Sequence, residues 1–102
     1  MIDDLKAVEE LLQASKPGAL HAVLHYLYLP SEQAAAEVAA RLRSHGFTTE
    51  ERRGADGVNW LVLAKHKIIP SGPTILTTRK LMEGLTAPFA GEYDGWEAEV
   101  LR

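Results

Sequence analysis

The chain has 102 residues, enough for one domain around one core. Hydrophobic residues make up 46% and charged residues 25%, a globular balance that argues against intrinsic disorder. The absence of cysteine excludes disulfides, thiolate catalysis and cysteine-ligated zinc. The net charge of −3 argues against direct nucleic-acid binding, because a phosphate backbone is gripped by clustered Lys and Arg.

The opening Met1-Ile2-Asp3-Asp4 is acidic where a secretory signal would be basic. No apolar run approaches the roughly 20 residues that span a bilayer. The expectation is a cytoplasmic chain with no membrane segment.

Residues 1–16 read as a helix. Asp3 or Asp4 can cap it, Leu5, Val8, Leu11 and Leu12 recur at helical spacing, and Ser15-Lys16-Pro17-Gly18 ends it. His21 to Leu29 reads as a strand with Val23, His25, Leu27 and Leu29 on one face and Ala22, Leu24, Tyr26 and Tyr28 on the other. Both faces are largely apolar, which predicts a central position. Ser31 then caps an Ala-rich helix over Glu32 to His45, with Ala35, Val38, Ala39 and Leu42 as its buried stripe and Gly46 as its stop. Phe47 to Arg53 forms a strand so charged that it predicts an exposed edge, and Gly54-Ala55-Asp56-Gly57 is a hairpin turn.

Val58 to Ile69 is the third extended segment, and Trp60-Leu61-Val62-Leu63-Ala64 within it has no polar face. Pro70-Ser71-Gly72-Pro73 breaks it. Thr74 to Leu85 is a second amphipathic helix with the stripe Ile75, Thr78, Met82, Leu85 and Phe89, and Pro88 predicts a kink or restart at Ala87. Glu92 to Leu101 closes the pattern as a strand in which Trp96, Ala98 and Val100 alternate with Gly95, Glu97 and Glu99.

After the N-terminal helix (1–16), residues 20–102 thus run β-α-β-β-α-β. This is an α+β, ferredoxin-like sandwich with a four-stranded antiparallel sheet in the order 4-1-3-2 and two helices on one face. Two helices cover only one face, which leaves Leu24, Tyr26 and their neighbours to be covered on the other. The N-terminal helix is the expected partial cover, and a homodimer could complete it.

Glu92-Tyr93-Asp94-Gly95-Trp96-Glu97 resembles the Tyr-Asp-Gly-Trp segment of the RraB family, the regulators of ribonuclease activity B. Glu9-Glu10-Leu11-Leu12 is similar to that family's opening helix, Leu20 to Leu27 with His25 to its first strand, and Arg43-Ser44-His45-Gly46-Phe47 to its helix-to-strand turn. The resemblance implies a ferredoxin-like fold and a regulator acting by protein–protein contact. Its partner would be an RNA-processing ribonuclease, which is ribonuclease E for the best-known members.

Read for chemistry, the chain offers Tyr93, Asp94, Glu97, Glu99 and His25 as candidate partner-binding residues. Trp96 reads as a core anchor, and Gly95 as the site of a bulge that Asp94 could fix by bonding the local backbone. Glu97 and Glu99 share a strand face, so with His25 they could in principle form a metal site or an acid/base pair. The plainer reading is an edge strand with solvated charges and a buried His25 bonded to a backbone or tyrosine partner. No catalytic set, cofactor or metal is expected, and a small-molecule or metal-binding module is the alternative to a regulator.

Charge divides along the chain. Residues 1–40 carry six acidic and two basic side chains, residues 41–80 three and eight, and residues 81–102 five and one. In the expected strand order, Arg52, Arg53, Lys65 and Lys67 fall on one side of the sheet and the acidic last strand at the opposite edge, a polarity able to orient a partner.

Overall fold

The local stop and start signals set the element boundaries in the computed structural model, which describes residues 3–101. The extreme ends of the two expected segments, residues 1–2 and 102, lie outside the described residues. Asp3 accepts the Leu5 and Lys6 N–H groups and opens α1 (Asp4–Ala14). Ser31 accepts the Ala34 N–H at the start of α2 (Glu32–Ser44), and Ser71 the Thr74 N–H at the start of α3 (Gly72–Thr86). Pro88 ends α3 in a 3-10 turn, Ala87–Phe89. The strands are β1 (His21–Leu29), β2 (Thr48–Arg53), β3 (Trp60–Ile68) and β4 (Glu92–Ala98).

The sheet runs β2-β3-β1-β4, which is 4-1-3-2 counted from the β4 edge, and every neighbouring pair is antiparallel. Buried and half-buried residues alternate without a break along β1. Its buried set, His21, Val23, His25, Leu27 and Leu29, faces the helices. There Leu27 and Leu29 join Val38, Leu42, Val62 and Met82 in the core. Burial of this apolar surface is the main stabilising term, at roughly 25 cal/mol per Å².

The N-terminal helix does not cover the second face. Instead α1 packs against α3, on the same side of the sheet as the other helices. The reason lies in its polar ends. Asp4, in its first turn, is held by Arg79 of α3 and by the Trp96 indole, while Ser15, at its end, meets His21. All of these partners sit on the helix side. The second face is therefore open, yet Leu61 and Leu63 are only 8% and 7% exposed there. Their cross-strand neighbours Tyr28 and Tyr26 are half-buried, so the face is largely sealed by its own side chains.

The Ser15 contact also ties the chain together. His21 donates from Nδ1 to the Ala19 carbonyl at 2.8 Å, which leaves Nε2 to accept from Ser15 Oγ at 2.6 Å. Ser15 Oγ accepts the Leu101 N–H at 2.6 Å, and the Lys16 N–H reaches the Leu101 carbonyl at 2.8 Å. Both side chains are buried and the imidazole's far nitrogen is on a backbone carbonyl, so this serine–histidine pair is a clasp.

Candidate functional site

The site is built around an extra residue in β4. Tyr26 pairs with Gly95 but Leu27 pairs with Tyr93, so Asp94 has no partner of its own on β1. Gly95 sits at φ +119°, a backbone that side chains rarely adopt. The bulge shifts the alternation by one. Tyr93 and Trp96, three apart and so on opposite faces of a regular strand, both come to face the helices.

Beneath them His25 is fully buried on the central strand. Its Nδ1 lies 2.8 Å from the Tyr93 hydroxyl and its Nε2 lies 2.9 Å from Nε2 of His66 on β3. A neutral imidazole carries one N–H, so the line has two settings. Either Tyr93 donates to His25, which donates to His66, or the order reverses. Burial pushes the His25 pKa down to about 3, helped by the neighbouring His66 and Arg79 charges. Burial likewise lowers His66 and raises the Tyr93 phenol. The Phe47 ring stacks on His66 at 4.3 Å and closes the group.

Arg79 connects this line to α1. Its guanidinium lies 4.7 Å from the Tyr93 ring centroid and pairs with both Asp4 oxygens. Trp96 Nε1 donates to the same carboxylate at 3.1 Å. The Arg79 hydrogen bond holds the Asp4 carboxyl below the usual range, against the opposing effect of burial, and Asp4 in turn raises Arg79. Among the described residues, no buried side-chain nitrogen or oxygen lacks a partner.

Outside this packed interior the surface is acidic. Glu92, Asp94, Glu97 and Glu99 are all exposed on or just beyond the edge strand. A cleft of about 750 Å³ opens between α3 and β4, with Arg79, Glu83, Thr86, Gly91, Tyr93 and Asp94 among its lining residues. Gly91 has no room for a side chain, since a Cβ there would come within 2.9 Å of the Tyr28 carbonyl.

The five expected site residues thus divide. Asp94, Glu97 and Glu99 are on the surface, whereas His25 and Tyr93 are interior and bonded to each other. An acid/base or metal pairing of His25 with Glu97 or Glu99 is ruled out by register. Trp96 is opposite His25 and Glu97 is opposite Leu24, so imidazole and carboxylates point to opposite faces. No described group of three or more histidine or carboxylate side chains is placed to hold a metal ion. Among the described residues no helix is long and apolar enough to cross a membrane. Among the described residues no hydrogen bond reaches the Asp94 side chain, and the bulge coincides with the positive φ of Gly95. The sequence reading missed Asp4 and Arg79. Their one signal was an acidic residue in the first turn of a helix that also needed an anchor.

The family model described as Regulator of ribonuclease activity B matches residues 2–98 of the chain. Comparison with curated proteins gives no match.

Proposed function

The chain belongs to the RraB family of ribonuclease-activity regulators, and from that premise we propose that it acts without catalysis, by binding a ribonuclease through protein–protein contact. We read its βαββαβ order as a ferredoxin-like sandwich and its place of action as the cytoplasm. The observation that carries the reading is the division of the site. Its interior half, His25, Tyr93, Arg79 and Asp4, is fully hydrogen-bonded, with His25 and Asp4 buried and only Tyr93 and Arg79 reaching the cleft beside α3. Its outer half is an exposed edge strand bearing Asp94, Glu97 and Glu99. The interior fixes the edge, and the edge meets the partner. Carboxylates in this position favour a basic partner surface and speed its approach.

Titrating a purified ribonuclease of the RNA-processing class with the native chain and with an Asp94→Arg, Glu97→Arg, Glu99→Arg variant tests this. The native chain binds and lowers RNA cleavage; the variant binds at least tenfold more weakly while unfolding at the same denaturant concentration. Equal binding by both removes these residues from the contact, and no binding by either removes the function. The cleft between α3 and β4 supports a second reading, a small-molecule module. A thermal-shift screen against metabolites and metal ions decides it, since no shift at saturating ligand removes it.

A further inference from the structure

The open face of the sheet is organised in rungs, because antiparallel register places one residue of each strand side by side. One rung is Arg52, Leu61, Tyr28, Glu92, from the β2 edge to the β4 edge. The next is Glu50, Leu63, Tyr26, Gly95, and the third Thr48, Lys65, Leu24, Glu97. The first rung is apolar in the middle with opposite charges at its ends, the second is apolar in the middle between Glu50 and a bare Gly95, and the third sets Lys65 beside Leu24 between Thr48 and Glu97. Tyr26, Tyr28 and Leu24 are only partly buried there, and tyrosines so placed are effective anchors at interfaces.

We propose that this face is a homodimer interface, with a second copy laid face to face about a two-fold axis parallel to the strands. That rotation reverses every rung against itself. Arg52 comes over Glu92 of the second copy, Leu61 over Tyr28, and Leu63 over Tyr26. Each contact occurs twice, as two-fold symmetry requires. Glu50, the acidic residue on the basic side, meets Gly95, which has no side chain to oppose it. A two-fold axis across the strands would instead set the acidic β4 edge on itself, so charge selects the first arrangement. Four strands about 4.8 Å apart and up to about 30 Å long give roughly 500 Å² in projection per copy. Standard interfaces bury about 800 Å² per partner, so the dimer is a modest one that dissociates on dilution. Glu97, at the end of the third rung, is shared with the proposed ribonuclease contact, whereas Arg52 and Glu92 are not among the residues named for it and so separate the two readings.

Analytical ultracentrifugation of the full chain tests it with two charge reversals at exposed positions, Arg52→Glu and Glu92→Arg. The native chain is a concentration-dependent dimer that weakens with salt. Each variant alone is at least tenfold weaker, because it sets like charges together in both symmetric contacts. An equal mixture of the two variants regains native affinity as a heterodimer, in which every such contact is again opposite in sign. A native chain that stays monomeric at its solubility limit overturns the proposal, as does dimerisation unchanged by Arg52→Glu or a mixture no tighter than its components. A monomer whose Tyr26 and Tyr28 become protected only on adding the ribonuclease gives the face to that partner and overturns it too.

Discussion

Strand β1 presents His21, His25 and three aliphatic residues to the helices, and Ala22, Leu24, Tyr26 and Tyr28 to the open side, and the two faces are held by different physics. The helix face buries polar atoms completely and satisfies each with a partner, while the open face keeps its polar groups at the rim over half-buried rings. An unmade hydrogen bond inside costs the full desolvation of the orphaned group, whereas one outside is replaced by water. Changes on the helix face should therefore appear in folding, and changes on the open face in association.

The strongest way to break that contrast is Asp4→Asn. It leaves the part-buried Arg79 guanidinium with only the longer, exposed Glu83 pair at 3.7 Å and should cost about 3 kcal/mol in urea unfolding. The same carboxyl contributes to acid lability. Its folded pKa is depressed, so its stabilisation is present above about pH 4 and is lost as pH falls through the lower folded value. Next in size is Gly95→Ala, which forces a side chain into φ +119°. It should cost about 2 kcal/mol and loosen Tyr93 or Trp96, visible as a changed near-ultraviolet circular dichroism spectrum.

His25 sharpens the comparison through pH. Its pKa is about 3 folded against 6.5 unfolded, so its neutral form is no burden above pH 6.5. As pH falls below 6.5 the unfolded chain takes up a proton that the folded chain refuses, and stability drops by about 1.4 kcal/mol per unit toward pH 3. In His25→Gln that slope, measured by denaturation between pH 6.5 and 5, should fall by about one proton. The smallest effect belongs to the open face. Tyr26→Phe removes the hydrogen bond to Glu97 that keeps the phenol's pKa raised, and should change stability by no more than about 0.5 kcal/mol.

What could be read in advance follows the same division. The central place of β1 was legible because both of its faces are apolar, and the edges because Glu50, Arg52, Glu97 and Glu99 would not tolerate burial. The exposure of Asp94 was legible for that reason too. The side on which α1 lies was not. An apolar stripe announces that a helix packs but not on which layer, and the deciding contact, Asp4 with Arg79, spans 75 residues. The interior of the site was hidden similarly. Alternation alone sets Tyr93 with Glu97 and Glu99, and only the one-residue bulge turns it inward to His25, 68 residues away. The Asp94-Gly95 pair marked the bulge, but not what the bulge brings together.

The sheet order has one further consequence, for how the molecule is made. The strand at its centre is synthesised first, and its two neighbours, β3 and β4, begin at residues 60 and 92. A nascent chain therefore carries His-Ala-Val-Leu-His-Tyr-Leu-Tyr-Leu, apolar on both sides, with no partner until β3 emerges and with one edge unpaired until β4 follows. Such a segment is prone to find strands in other chains. Emergence of β4, and not the growth of any early helix, is the step that completes the sheet, and chains stopped before β4 should aggregate instead of waiting.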